Sequence, residues 1–185
     1  MSEEMFTRRI AALHGEKGQP TQSVLAGFAQ KLAQEGVRVA GVVEIAACGG
    51  RGGCKKFSVR DLTSGETISI TQDLGPHSDA CALDPAGLIK ACGRVEQAIS
   101  GGVDLVILSK FGKLEAARSG LTDAFRAAMV ADVPVITVVP TAVEQDWERF
   151  AGPLSQFVEP SSAALEAWWL SQGQACELRD EARAQ

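Results

Sequence analysis

The chain alternates short apolar runs with longer stretches in which apolar residues recur at helical spacing. Near-continuous apolar runs are typical of strands that are buried on both faces of a largely parallel sheet. Such runs occupy residues 9–14, 37–45, 103–108 and 133–139. Helical spacing begins at Thr21, after Asp84 and near Leu121. Strands that alternate with helices predict an α/β fold, a three-layer sandwich around a mainly parallel sheet.

Local signals add boundaries and an antiparallel hairpin to this pattern. Asp84 followed by Pro85 predicts a helix start, since Asp is a favoured N-cap and Pro a favoured first helical residue. Residues 57–60 and 67–71 flank the turn sequence DLTSGE, which predicts two antiparallel strands. A short strand at 157–158 and an amphipathic helix over 161–170 complete the fold, with a polar, frayed end beyond them.

Composition narrows the class of protein. The 185 residues, 45% of them hydrophobic, suit a single domain over residues 1–185. The net charge of -5 argues against a nucleic-acid partner and favours small molecules or proteins. The chain shows neither the residue order of a signal peptide nor an apolar stretch of about 18 residues, so we expect a cytoplasmic protein without membrane insertion. Its five cysteines are then expected to be reduced thiols.

The first predicted strand leads into a sequence with the layout of a phosphate-binding loop. A functional loop reads G-x-x-x-x-G-K-S/T, in which the lysine reaches the terminal phosphates and the hydroxyl binds Mg²⁺. Residues 15–23 read GEKGQPTQS, with Thr21 in the lysine position and Gln22 in the hydroxyl position. The turn and the helix N-terminus that remain still favour an anion. An ordinary strand-to-helix loop would explain the same glycines, and this alternative stays open.

A second nucleotide-binding motif is altered in the same way. In a functional P-loop protein, the strand that corresponds to residues 103–108 ends in an acidic residue that holds Mg²⁺ through water. Ser109 and Lys110 stand there instead. A lysine in place of an acid favours an anion over a metal. The alternative is that Lys110 is a solvated loop residue and that Lys113 pairs with Glu115 or Glu16.

Three segments carry a resemblance to known proteins. They read SVLAGFAQKLAQEGVRVAGVVE, KKFSVRDLTSGE and VDLVILSKFGKLEA. They resemble the small P-loop enzymes of the cancer-related nucleoside triphosphatase type over about residues 9 to 145, and Gly112, Lys113 and Glu115 match that family's pattern. The pieces CALDP and FGKLE are more similar to a related bacterial family of degenerate P-loop proteins, often encoded beside molybdate-transport genes. The activity of that family is not established, so the resemblance implies a P-loop NTPase-like fold and a molybdenum setting.

These observations give a set of predicted ligand-binding residues and no catalytic residue. The expected ligand is a small anion, either a nucleotide or an oxyanion such as molybdate or tungstate. The residues expected to bind it are Gly15, Lys17, Gly18, Thr21, Ser23, Ser109, Lys110, Lys113 and Glu115.

Two further predictions concern a metal and a homodimer. Cys54, His77 and Cys81 could form a soft-metal site, although their spacing is not that of a zinc module and free thiols are the favoured interpretation. Trp168 and Trp169 are expected to be core or interface residues, and an exposed pair would favour a dimer.

Three functional hypotheses remain open at this point. The first is a non-catalytic binding protein for a nucleotide or oxyanion that serves molybdenum handling. The second is an atypical nucleoside triphosphatase or phosphotransferase that uses Lys17 and Lys113, with Glu115 or Glu16 positioning metal and water. The third is an interaction scaffold, since folds are reused without their chemistry.

Overall fold

The computed structural model describes residues 8–15, 20–45, 57–72 and 82–183, with side chains as far as residue 173 apart from those of Gln72 and Ala82. Its helices are α1 (Thr21–Gln34), α2 (Pro85–Ser100), α3 (Lys113–Ala116), α4 (Thr122–Val130), α5 (Glu144–Ala151) and α6 (Ser162–Arg183). Its strands are β1 (Ile10–Gly15), β2 (Val39–Ile45), β3 (Ser58–Asp61), β4 (Thr67–Ser69), β5 (Thr71–Gln72), β6 (Ala82–Leu83), β7 (Leu105–Leu108), β8 (Val135–Pro140) and β9 (Ser155–Val158). In the part described, no helix is both long enough and apolar enough to cross a membrane.

Seven of the described strands form one mixed sheet in the order β4-β3-β2-β7-β8-β1-β9. The five strands from β2 to β9 in this order run parallel, whereas β3 and β4 are antiparallel to their neighbours. The parallel core and the antiparallel hairpin are therefore as predicted. Such a sheet is compatible with a P-loop NTPase-like fold.

Helices cover both faces of the sheet. Along β1, Ile10 and Ala12 face a core shared with α2, α4 and α5, while Ala11 and Leu13 face a core shared with α1 and α6. This alternation follows from the two-residue period of a strand. All four residues of β7 are buried, which explains why that strand appears in the sequence as an uninterrupted apolar run.

The start of α2 is formed as its sequence predicts. Asp84 is the N-cap, and its Oδ1 accepts a hydrogen bond from the Ala86 N–H at 3.0 Å. Pro85 is the first helical residue, and Gly101 is the C-cap. The cap satisfies one of the N–H groups that a helix start leaves without a partner.

One glycine sets the distance between two central strands. Gly41 of β2 is in register with Ile107 of β7 and has a φ of +130°, a conformation that L side chains rarely adopt. A Cβ at this position would lie 1.8 Å from the Ile107 carbonyl oxygen. Only glycine therefore allows β2 to approach β7 in this way.

The end of the chain differs from its prediction. The helix expected over 161–170 is α6, which continues to Arg183. The helix is therefore longer than predicted and includes most of the polar segment that was expected to be frayed. The apolar pattern fades after Leu170, but the following residues include Gln, Ala, Glu, Leu and Arg, which favour a helix without an apolar stripe. The amphipathic pattern marked the part of α6 that contains the core residues Leu165 and Trp168.

The tryptophans are mainly core residues. Trp147 is fully buried on α5, where its ring contacts Phe111 at a centroid distance of 5.1 Å and Phe125 at 6.0 Å. Trp168 is 4% exposed and packs with α1, while Trp169 is partly buried beside it. An exposed Trp168–Trp169 pair, the condition for the expected dimer contact, is therefore not present.

Candidate functional site

The candidate site lies at the edge of the sheet where the parallel strands end. β1 ends at Gly15, β2 at Ile45 and β7 at Leu108. The carboxyl ends of these strands share one edge, and the N-terminus of α1 returns to it after β1. Ligands of open α/β sheets bind beyond this edge.

Gln22 joins three segments at this edge. Its side-chain Nε2 donates a hydrogen bond to the Ser109 carbonyl oxygen at 2.6 Å, and its Oε1 accepts one from the Glu44 N–H at 2.8 Å. The sequence predicts that Gln22 and Ser109 occupy the positions of the Mg²⁺ hydroxyl and the acidic residue of a P-loop protein. In the structure these two residues are in direct contact through the neutral amide of Gln22.

The start of α1 leaves polar groups at the same edge. Pro20 is the N-cap and provides no side-chain hydrogen bond. Thr21 is 4% exposed, and its Oγ1 has no hydrogen-bond partner among the described residues. Ser23 is exposed on the first turn. A buried hydroxyl without a partner is rare in folded proteins, so the start of α1 still has a hydrogen-bonding group to satisfy.

An ion pair occupies the next part of the edge. The Lys110 Nζ lies 2.6 Å from the Glu44 Oε1, and these side chains are 40% and 25% exposed. Lys113, on α3, is exposed. A cavity of about 80 Å³ opens beside the two lysines. Apolar residues form much of its wall: Ile70, Leu83, Leu88, Leu114 and Leu121.

Glu115 is held by backbone groups inside the protein. The residue is 3% exposed, and its two carboxylate oxygens accept hydrogen bonds from the Gly112 N–H at 2.8 Å and the Leu121 N–H at 2.9 Å. Gly120, with a φ of +62°, lets the chain pass close to this carboxylate. Glu115 thus closes the loop between β7 and α4, and Lys113 pairs with no carboxylate in the described part of the chain.

The contacts of Glu44 and Gln22 were not anticipated from the sequence. Glu44 is the next-to-last residue of β2, VAGVVEI, and a charge near the end of an otherwise apolar run was the available signal. Gln22 was identified only as a residue replacing a hydroxyl. Of the predicted ligand residues, Lys17 and Gly18 lie outside the described residues, and Gly15 is the last residue of β1.

His14, at the end of β1, has two structural partners although its side chain is exposed. Its ring stacks on Phe157 with the ring centroids 4.1 Å apart, and its Nδ1 lies 3.1 Å from the Glu144 Oε1. These contacts link the end of β1 to β9 and α5.

The predicted metal residues Cys54, His77 and Cys81 lie outside the described residues. Elsewhere in the chain, the described ranges contain no group of three or more His, Cys, Asp or Glu side chains placed to hold a metal ion. Cys92 is a buried free thiol, and its burial raises its pKa to about 11. A thiol with this pKa stays protonated at neutral pH and is a poor nucleophile.

Two comparisons relate the chain to known sequences. A family described as "Protein of unknown function (DUF2478)" matches over residues 10–168. The chain is also 37% identical over 166 residues to the "Molybdenum import ATP-binding protein ModC 2" of Bradyrhizobium diazoefficiens. That match covers 90% of this chain and 18% of the relative. No solved structure matches. Because the family match spans most of its length, the chain belongs to the DUF2478 family.

Proposed function

We propose that this chain is a P-loop-like protein that binds an anion at the carboxyl edge of its sheet without hydrolysing a nucleotide. The anion is a free oxyanion or the phosphate group of a nucleotide. The contact between Gln22 and Ser109 carries this proposal. It supports a common origin with P-loop proteins, because two positions that jointly hold Mg²⁺ in those enzymes meet here.

The same contact argues against a magnesium site. Mg²⁺ prefers oxygen ligands, usually one or two carboxylates together with water and phosphate. Gln22 provides an amide whose oxygen and nitrogen already have partners, and Ser109 provides a backbone oxygen to it. The nearby carboxylates are also engaged, since Glu44 pairs with Lys110 and Glu115 binds two backbone N–H groups. Phosphoryl transfer would lack its usual metal.

Several groups at the edge favour a negative charge. Lys110 and Lys113 line one cavity, and the N-terminus of α1 adds the N–H groups that a helix leaves without internal partners and the positive end of its dipole. The hydroxyl of Thr21 adds a polar group without a partner among the described residues. Lys17 and Gly18 are proposed to complete the site from the adjoining loop.

The similarity to a molybdenum import protein suggests which anions to test. We propose molybdate and tungstate as ligands, with nucleotides as the second class, and a role in molybdenum handling. The chain spans 18% of that relative, whose name assigns ATP binding to the whole protein. The same partial match favours a second candidate, a module that contacts other proteins. A homodimer remains a prediction.

The first test is ATP hydrolysis. We expect no Mg²⁺-dependent hydrolysis above background, because Thr21, Gln22, Ser109 and Lys110 stand where lysine, hydroxyl and acids stabilise the transferred phosphoryl group. Phosphate release from purified protein measures this. Turnover of about 1 per second or faster, in the range of kinases, would contradict the proposal. Activity that disappears in Lys113→Ala would favour the atypical triphosphatase.

The second test is anion binding by calorimetry with phosphate, sulfate, molybdate and tungstate. We expect at least one of them to bind, more weakly at higher salt. Replacing both Lys110 and Lys113 by Ala should lower the affinity about tenfold or more, since each charge-assisted hydrogen bond contributes about 1.5–3 kcal/mol.

Lys90→Ala is the matched control, because Lys90 is an exposed lysine on α2 that does not line the same cavity. Its affinity should equal that of the unmodified protein. If none of the four anions gives a heat of binding, or if the affinity of the Lys110 and Lys113 double variant is unchanged, the two lysines are ordinary surface residues. Either result would favour the interaction module.

A further inference from the structure

The Glu44 carboxylate lies where a bound anion would need to reach Lys110. Its Oε1 is 2.6 Å from the Lys110 Nζ, and both residues line the cavity that also borders Lys113. The backbone of Glu44 is fixed, because its N–H donates to the Gln22 Oε1. Gln22 therefore holds the backbone of Glu44, while the Glu44 side chain lines the cavity and pairs with Lys110.

The pair is arranged so that it can open. The Lys110 and Glu44 side chains are 40% and 25% exposed, and ion pairs with this access to water are weak. Both side chains are long and have several rotamers, and Lys110 lies in the turn between β7 and α3. An anion of higher charge can thus compete with the carboxylate for the ammonium group.

We propose that Glu44 is an internal competitor for the anion site. In the empty site its carboxylate pairs with Lys110, and ligand binding exchanges this carboxylate for the oxyanion. This inference rests on the anion-binding function proposed above. Binding breaks the Lys110–Glu44 pair, so the anion must attract the Lys110 ammonium group more strongly than one carboxylate does. The site should therefore prefer compact dianions, such as molybdate and sulfate, to monoanions such as nitrate.

Neutralising Glu44 tests the exchange. We expect Glu44→Gln to bind molybdate and sulfate about fivefold more tightly, because Lys110 no longer has an internal partner of about 1 kcal/mol. Glu44→Ala is measured alongside it, and unfolding curves establish that both variants fold. Glu166→Gln is the matched control, since Glu166 pairs with Lys31 at the same 2.6 Å distance away from the site. It makes the same change in net charge and should leave the affinity unchanged.

A second measurement separates competition from general repulsion. In a Lys110→Ala background, adding Glu44→Gln should increase the anion affinity only slightly, because Lys110 is no longer there to be released from Glu44. An equal gain in both backgrounds would overturn the exchange. If the unmodified protein binds molybdate or sulfate and Glu44→Gln binds no more tightly, Glu44 is not a competitor, although the anion-binding function stands. If neither protein binds any anion, both proposals fail. Binding seen only in Glu44→Gln supports the competitor in its strongest form.

Discussion

Replacing Gly41 by Ala is expected to lower the free energy of unfolding by about 3 kcal/mol or more. Two costs combine at this position. A non-glycine residue at a φ of +130° is strained by about 1–3 kcal/mol. The added Cβ would also lie 1.8 Å from the Ile107 carbonyl oxygen, so β2 and β7 would have to separate, and forced repacking of this kind costs about 1–3 kcal/mol.

Urea unfolding measures this change through the transition midpoint, provided that the slope stays constant. Gly27→Ala is the matched control, because Gly27 lies on the exposed side of α1 and an added Cβ meets nothing within 4 Å. That variant should gain about 0.5–1 kcal/mol from helix propensity. A Gly41→Ala protein as stable as the unmodified one would show that β2 and β7 can adjust their spacing freely.

The sequence predicted the parallel core because burial on both faces leaves a strong signal. β7 and β8 each appeared as a short apolar run, since every residue of β7 and nearly every residue of β8 is buried. The start of α2 was predicted equally directly, because Asp84 and Pro85 act within the first turn of the helix. Buried strands and helix caps can be predicted in this way because they depend on residues that are close together in the sequence.

The arrangement of the site could not be inferred in that way. Gln22 and Ser109 are 87 residues apart in the chain and meet only because α1 returns to the sheet edge beside β7. The Glu44–Lys110 pair likewise depends on the pairing of β2 with β7. The sequence predicted which motif positions are altered, but it held no information on which side chains would meet there.

The burial of Glu115 could not be inferred from the sequence either. As one letter in SKFGKLEAARSG, it looked like a loop acid that could bind a ligand or a metal. The short helix α3 turns its side chain inward, and the left-handed Gly120 brings the next segment around the carboxylate. The short helix and the left-handed glycine set the environment of Glu115, and neither has an apolar pattern that would reveal it in the sequence.

Removing the Glu115 carboxylate is therefore expected to destabilise the fold. Glu115→Ala would leave the Gly112 and Leu121 N–H groups without their acceptor, and each unsatisfied buried group costs about 1–3 kcal/mol. We expect a total loss of about 3 kcal/mol in the free energy of unfolding, measured by urea unfolding. Glu115→Gln should lose about 1–3 kcal/mol, because its amide oxygen can accept only in place of one of the two carboxylate oxygens.

The Glu115 variants also separate a structural role from ligand binding. Glu148→Ala, at an exposed position of α5, is the control and should change stability by less than about 0.5 kcal/mol. If Glu115→Gln keeps full stability but loses anion binding, the carboxylate contacts the ligand, as its place among the predicted ligand residues requires. A loss of stability with anion affinity retained in the folded protein would instead assign Glu115 to closing the loop that carries Lys110 and Lys113. The two hydrogen bonds of its carboxylate favour the second result, because both oxygens already accept a backbone N–H.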